Sequence, residues 1–319
     1  MNSPYKIAVA GIGGVGGFYG GRLAAFYHRS KEVEINFIAR GANLEAIRRN
    51  GMELQTDNGS LIAHPHHVTD DPAELGELDL ILLCCKTFDL EQFAAMFSGN
   101  ISDRTYLLPL LNGVDSTYRL QTLFPHARNL YGCVYLISRI ISPGVVQASG
   151  NVDKLLFGST DAADGRLDTI ERIFTDAGIR AGNHRDIQLK IWEKFSFISP
   201  LASLTSYYNC SIGKLLEEVQ YKQMLLRLSD EVYAVATGRG IGLPGNTIEN
   251  NIKKMSGLPY EATSSMHIDF LNHRRTEMDN LTGFVVREAA RLGIDVPGYE
   301  EVFEGLKSFT PASDNAPRE

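Results

Sequence analysis

The sequence predicts an α/β fold in two parts, an N-terminal doubly wound parallel sheet followed by a second, mostly α-helical domain. Three observations carry this expectation. Short apolar runs alternate with stretches of helical periodicity through the first half of the chain. A glycine-rich turn joins the first apolar run to the first helix. After about residue 184 the strand signals stop and only long helical patterns remain. A chain of 319 residues also exceeds what one core usually organises, so the expected domains are 1–184 and 185–319.

The elements follow in order. Lys6–Ala10 (KIAVA) reads as a strand and Val15–Tyr27 as a helix, with glycines between them. Ile35–Ala39 (INFIA) gives a second strand. Leu78–Cys85 (LDLILLCC) is apolar almost throughout, as a central parallel strand covered on both faces should be. Leu107–Leu111 (LLPLL) gives a fourth, where Pro109 lacks the N–H of a ladder and so implies a sheet edge or an irregular strand. Leu90–Phe97 and Asp115–Leu123 read as the intervening helices. Ser142–Gly158, containing SPGVVQASG and KLLFG, reads as an antiparallel pair that extends the sheet at one side. Helices are then expected at Ile187–Tyr208, Ile212–Gly238, Ile248–Met255 and Ser265–Leu292. Gly240 to Pro244 and Gly293 to Pro297 supply glycine-then-proline stops. The polar tail Thr310–Glu319 is expected to fray.

Composition narrows the function. With 44% hydrophobic and 22% charged residues the chain carries none of the bias of disordered, collagenous or coiled-coil sequences. A formal charge of −7 argues against a nucleic-acid partner, which would need clustered Lys and Arg. Cys84, Cys85, Cys133 and Cys210 are spaced neither as a disulfide framework nor as a zinc site, and read as reduced core residues. No apolar run approaches the ~18 residues that cross a bilayer, and no signal-peptide pattern opens the sequence, so the cytoplasm is the expected location.

Gly11-Ile12-Gly13-Gly14-Val15-Gly16 matches GxGxxG between a predicted strand and a predicted helix, the setting of a Rossmann-type dinucleotide site. Gly11 would allow the tight turn, Gly13 the approach of backbone N–H groups to a pyrophosphate, and Gly16 close packing of helix on strand. Cofactor choice falls to the end of the second strand. An acidic residue there bonds the ribose 2′-hydroxyl, whereas a cation accommodates a 2′-phosphate. The strand ends in Ala39-Arg40-Gly41 with no Asp or Glu, which favours NADPH/NADP+; the plainer reading makes Arg40 a solvated loop charge.

Ligands in open α/β sheets bind beyond the carboxyl ends of the strands. Lys86 and Asn112 occupy such ends, as ligand groups or as an ordinary solvated cap and an Asn-Gly turn. In the helical part, Lys194 sits in the apolar stretch Ile191-Trp192-Glu193-Lys194-Phe195. It either snorkels to water or serves as a desolvated ammonium able to protonate an oxygen that gains charge. Ser264 or Ser265 could cap a helix or meet a ligand, and Glu277 could pair with a nearby arginine or join the site. On one unbroken helix Ser265 and Glu277 would stand about 18 Å apart, so both reach one small ligand only if that helix starts or bends near the serine. His64-Pro65-His66-His67 puts two imidazoles on one face, but no Cys or acidic partner stands at ligand spacing and no metal is expected.

Taken in order, GxGxxG, Ile38-Ala39-Arg40-Gly41, Cys85-Lys86-Thr87, Leu111-Asn112-Gly113, Trp192-Glu193-Lys194 and Ser264-Ser265-Met266 with Asp269 and Arg275-Thr276-Glu277 resemble the motif succession of the ketopantoate reductase (2-dehydropantoate 2-reductase) family over nearly the whole chain. The resemblance implies NADPH-dependent reduction of 2-dehydropantoate to pantoate on the way to pantothenate and coenzyme A. It implies Lys194 as proton donor, Glu277 as the acid that positions substrate and lysine, Ser265 as a substrate contact, and Lys86 and Asn112 as cofactor-side residues, Asn112 also reaching the substrate. This chain departs from the family where asparagines usually bond the substrate, with Ile198, Ala202 and Ile212 at those positions and Asn209 close to the last. The alternatives are therefore a reductase of another branched or hydroxylated 2-oxo acid, or a non-catalytic NADP(H)-binding regulator. The expected partners are a small 2-oxo acid and, as one option, a second copy in a homodimer, with no nucleic acid and no membrane.

Overall fold

The computed structural model describes residues 3–160 and 165–309; the tail expected to fray, Thr310–Glu319, lies outside them. By its contacts the chain divides into a unit of residues up to Leu111 with Asp115–Ile187, and a unit of Asn112–Val114 with the residues from Gln188 onward.

The first unit runs β1 (Tyr5–Ala10), α1 (Gly14–Tyr27), β2 (Val33–Ile38), α2 (Gly41–Asn50), β3 (Met52–Thr56), β4 (Gly59–Ala63), β5 (His67–Thr69), β6 (Leu80–Leu83), α3 (Leu90–Ala95), β7 (Tyr106–Pro109), α4 (Ser116–Leu123), β8 (Arg128–Asn129), β9 (Tyr131–Ser142), β10 (Val145–Gly158), α5 (Leu167–Asp176) and β11 (Arg180–Asn183). One sheet has the order β5-β2-β1-β6-β7-β8 and is parallel throughout. Its central strands read as unbroken apolar runs because both faces are covered. Ile7, Val9, Leu80 and Leu82 enter one core, while Ala8, Ala10, Ile81 and Leu83 enter the other.

Two expectations need correction here. Pro109 does not mark an edge, because β7 lies between β6 and β8. Leu110 N–H bonds Leu83 O on the β6 side, so the imide nitrogen of Pro109 faces the β8 side, where pairing has already stopped at Leu107. The proline therefore interrupts no bond. The antiparallel pair is also not contained in Ser142–Gly158. It is β9 with β10, turned at Pro143-Gly144, and it belongs to a second sheet of order β11-β10-β3-β4 rather than extending the first. The polar stretch that looked like a turn is a register shift within β10, between Ser149 and Lys154, which lets extra residues loop out without ending the strand.

α1 lies against both sheets, and its composition explains how. Five of its fourteen residues are glycine, each less helix-favouring than alanine by about 1 kcal/mol. A Cβ at Gly14, Gly17 or Gly21 would come within 2.5, 2.4 and 2.5 Å of Ser138 O, Val146 Cγ2 and Met52 Cε. These glycines let the second sheet rest directly on the helix backbone, and that burial offsets their weak propensity.

The second unit is helical: α6 (Ile187–Tyr207, its first residue grouped with the first unit), α7 (Ile212–Glu217), α8 (Val219–Gly238), α9 (Thr247–Ser256), α10 (Ser265–Leu271), α11 (Met278–Leu292) and α12 (Pro297–Phe309). Two predicted helices are broken. Ile212–Gly238 divides at Glu218, whose ψ of 119° is extended. Ser265–Leu292 divides over residues 272–277, where His273 adopts a φ of 52°. Two buried hydroxyls of α6 tie it to α11 and α12: Ser199 bonds Leu281 O and Tyr299 Oη at 3.0 and 2.7 Å, and Ser203 bonds Thr282 Oγ1 at 2.7 Å. Buried Glu231 on α8 accepts the first N–H groups of α12, from Gly298 and Tyr299, at 2.8 Å each. Among the described residues no helix is long and apolar enough to cross a membrane.

Candidate active site

In the first unit the glycine loop leaves β1 and opens α1. Gly11 has a φ of +99°, a conformation that side chains disfavour. Gly13 is the N-cap of α1, and a Cβ placed on it would meet nothing within 4 Å. A Cβ on Gly16 would stand 2.0 Å from Gly11 O, so the helix could not approach the strand end so closely with any other residue. Val15 is half-buried and Ile12 buried. The head of α1 is thus open at Gly13, while Gly14 beside it packs against Ser138, and an open helix N-terminus is the local geometry that receives an anion. Nothing in the periodicity pointed to Asn43. Its Nδ2 donates to Ile12 O at 2.9 Å and its Oδ1 accepts Gly144 N–H at 2.8 Å, which ties the loop to the β9–β10 turn.

Arg40 is the exposed N-cap of α2, just beyond β2, with its guanidinium 5.0 Å from the centre of the Phe93 ring and against Met96 Sδ. A planar cation resting on an aromatic face is held in place without a carboxylate partner. Lys86 follows β6 in extended backbone, exposed, and precedes a 3-10 turn at Thr87–Asp89.

The second unit brings three residues together. Lys194 Nζ donates to Asn112 Oδ1 at 2.9 Å, and Asn112 Nδ2 donates to Glu277 Oε2 at 3.3 Å. Asn112 follows β7 in the chain but is grouped with the helical unit, where it bonds both the lysine and the carboxylate. Lys194 is half-buried, its sequence neighbours Trp192 and Phe195 are buried against each other, and Glu277 is only 5% exposed. The amide joins ammonium to carboxylate through a neutral link. Each charged group gains a hydrogen bond, and both are held by one side chain.

The break before α11 is what delivers Glu277. Residues 272–276 leave the helix and Glu277 becomes the N-cap residue of α11. The serines separate by role. Ser264 is buried and caps α10 through His267 N–H at 3.1 Å, with Thr205 Oγ1 at 2.9 Å, whereas Ser265 begins the helix and is exposed. Ile198 is half-buried, while Ala202 and Ile212 are buried at 1% and 3% exposure. Asn209, at a φ of 48°, points its Oδ1 to His267 Nε2 at 2.9 Å. Thr263 Oγ1 meets His267 Nδ1 at 2.6 Å. Since an amide oxygen only accepts, Nε2 carries the proton and the threonine hydroxyl donates to Nδ1. Burial holds this imidazole below its ordinary pKa, which favours the neutral form.

Within the histidine cluster, His66 Nδ1 accepts Ile35 N–H at 3.1 Å and His67 Nε2 lies 3.9 Å from Glu34 Oε1. Among the described residues no group of three or more His, Cys, Asp or Glu side chains is placed to hold a metal. Cys84, Cys133 and Cys210 are buried and Cys85 half-buried, and burial pushes the Cys84 thiol far above its usual range.

Comparison with known proteins gives a consistent picture. The family model described as ketopantoate reductase PanE/ApbA matches residues 7–162, and that of the ketopantoate reductase PanE/ApbA C-terminal region matches residues 186–309. A crystal structure of 2-dehydropantoate 2-reductase from Porphyromonas gingivalis W83 is 35% identical, with a TM-score of 0.85 over 96% of this chain and 100% of that one. The uncharacterized oxidoreductase YkpB of Bacillus subtilis (strain 168) is 25% identical over 95% of this chain and 98% of its own. A ternary structure of D-mandelate dehydrogenase with NADH and anilino(oxo)acetate shares the fold, at 22% identity and a TM-score of 0.83 over 96% of this chain and 98% of that one.

Proposed function

Because this chain belongs to the ketopantoate reductase family, oxidoreductases acting on a CH–OH group, we propose that it is an NADPH-dependent reductase of a 2-oxo acid, with 2-dehydropantoate to pantoate as the reference reaction. The observation that carries this reading is the hydrogen-bonded series Lys194, Asn112 and Glu277.

The first unit holds the nucleotide. Residues Gly11–Gly16 receive the pyrophosphate, Arg40 the 2′-phosphate, and Lys86 stands on the cofactor side. The open space above Gly13 and the absence of an acidic group at the tip of β2 fit NADPH. When bound, NADPH supplies a hydride to the 2-oxo carbon.

The chain's own residues do the rest. As the keto oxygen gains negative charge, Lys194 Nζ donates a hydrogen bond and then its proton to that oxygen, giving the 2-hydroxy acid; water returns a proton to the amine. Asn112 Oδ1 aims the ammonium, and Glu277 fixes the other end of that amide. Ser265, exposed at the start of α10, is assigned a contact with substrate in this reading. A pure NADP(H)-binding regulator would have no use for this relay. Reaction in the cytoplasm completes the proposal.

The test is consumption of reduced nicotinamide by the purified protein against a panel of 2-oxo acids that includes 2-dehydropantoate, with NADH in parallel. A preference for NADPH of about tenfold or more is expected, since a charge-assisted contact to the 2′-phosphate contributes ~1.5–3 kcal/mol. Cofactor binding without oxidation on any of these acids would overturn the reading.

A further inference from the structure

The open face of α6 changes character at Lys194. Within the stretch from Lys190 to Ala202, the side chains left half-buried are Lys190, Glu193, Lys194, Phe197 and Ile198. On the N-terminal side of Lys194 stand Lys190 and Glu193, paired with each other at 3.2 Å. On the C-terminal side stand Phe197 and Ile198, one turn along, and then the face closes on Leu201 and Ala202, 3% and 1% exposed.

The hydroxyls of α6 are elsewhere. Ser206, buried, lies about 120° around the helix from Lys194 and ~18 Å farther along, and Ser196, Ser199 and Ser203 lie about 140–200° around it. The last three are committed, Ser196 to Glu193 O and Asn251, Ser199 to Leu281 O and Tyr299, and Ser203 to Thr282. Thr205 points nearer to the lysine face but is ~16 Å farther along. Its hydroxyl is already bonded to Leu201 O and Ser264 Oγ. Asn112 is held at both ends by Lys194 and Glu277, and Asn209 gives its oxygen to His267.

An acid that places its keto oxygen at Lys194 Nζ must direct its tail along one of two walls. One is an ion pair that a tail would have to desolvate; the other is hydrocarbon, with no donor or acceptor among its side chains. We propose that the tail follows Phe197 and Ile198, and that the acid reduced at Lys194 is a 2-oxo acid with a branched hydrocarbon tail bearing no hydroxyl group. This rests on the reductase reading above and specifies its substrate class. A hydroxyl laid on that wall would lose its water without gaining a partner, whereas a methyl group there gains contact area.

A matched pair of substrates tests this directly. 2-Dehydropantoate and 3,3-dimethyl-2-oxobutanoate differ only by a hydroxyl on one methyl group. A site built to bond that hydroxyl would favour 2-dehydropantoate by a factor on the order of 10⁴, while an apolar wall should favour the hydrocarbon acid by about 10- to 100-fold in kcat/KM. The Ile198→Asn variant offers an amide to the tail and should narrow that preference at least about tenfold, mainly through kcat/KM for 2-dehydropantoate. A wild-type preference for 2-dehydropantoate, or a ratio untouched by Ile198→Asn, overturns the tail assignment while leaving the reductase intact. If neither acid is reduced although NADPH binds, the reductase reading itself falls and takes the tail assignment with it.

Discussion

Two alanine substitutions in one loop should fail in opposite ways. In Gly16→Ala the new Cβ would lie 2.0 Å from Gly11 O and 3.0 Å from Cys84 Cβ. Neither neighbour is free to yield, since Gly11 N–H bonds Ile38 O and the Gly11 oxygen is backbone. Overpacking of this kind destabilises by ~1–3 kcal/mol or more, against a helix-propensity gain of at most ~1 kcal/mol. We expect a net loss of about 2 kcal/mol or more in urea unfolding. Gly13→Ala is different, because at φ −92° the backbone suits any residue and the Cβ meets nothing within 4 Å. Its stability should stay within ~1 kcal/mol of wild type, the usual span for an N-cap change. On the pyrophosphate assignment proposed above, the methyl group nevertheless fills the open space at the head of α1 that the ligand would occupy. Losing one such charge-assisted bond removes ~1.5–3 kcal/mol, a rise in the NADPH dissociation constant of about 10- to 100-fold by fluorescence titration. Wild-type NADPH affinity in Gly13→Ala would refute the assignment of this loop to the pyrophosphate.

Further outcomes follow from other contacts. Glu231→Ala strips the acceptors from two buried N–H groups of α12 and should cost ~2–5 kcal/mol in urea unfolding, with α12 amides losing hydrogen-exchange protection first; a change under ~0.5 kcal/mol would contradict that role. His267 is held below its ordinary pKa of 6.5 by burial, so the unfolded chain takes up the proton first, and this contribution to stability, complete above about pH 6.5, should drain away as pH falls further. Comparing urea midpoints of wild type and His267→Gln across that range checks the sign, and a wild type that gains stability relative to the variant on acidification would negate it. Asn112→Ala leaves Lys194 without its aiming acceptor, and kcat should drop about 10- to 100-fold, the equivalent of ~1.5–3 kcal/mol. Recovery in Asn112→Gln short of wild type would separate aiming from mere packing.

Much of the fold could be read from residue order because the parallel core is encoded locally. β1 from Ile7 onward and β6 are buried on two faces and so appear as uninterrupted apolar runs, and α1 announces itself by the glycines before it. The second sheet was hidden by the same logic. β3 and β4 mix polar and apolar residues because β4 is largely exposed, and β10 carries Ser149 to Asp153 as an irregularity that composition alone presents as a turn. α5 did carry a signal, with Leu167, Ile170, Ile173 and Phe174 buried at helical spacing. At the site, Lys194 and Glu277 were legible by type and setting. The break that brings Glu277 to the head of α11 was not, since residues 272–277 contain neither Gly nor Pro and His273 turns the chain at a φ of 52°. Tertiary contacts decide that turn. Long-range bonds were equally silent: no periodicity places Asn43 between Ile12 and Gly144, or Asn112 between Lys194 and Glu277.

The most direct check of the whole account is single-turnover reduction of a 2-oxo acid by Lys194→Ala with NADPH saturating. If this ammonium is the proton source, the rate should fall by about 10²- to 10⁴-fold while the nucleotide binds with unchanged affinity. A variant that reduces the acid within about threefold of the wild-type rate would place the proton donor elsewhere.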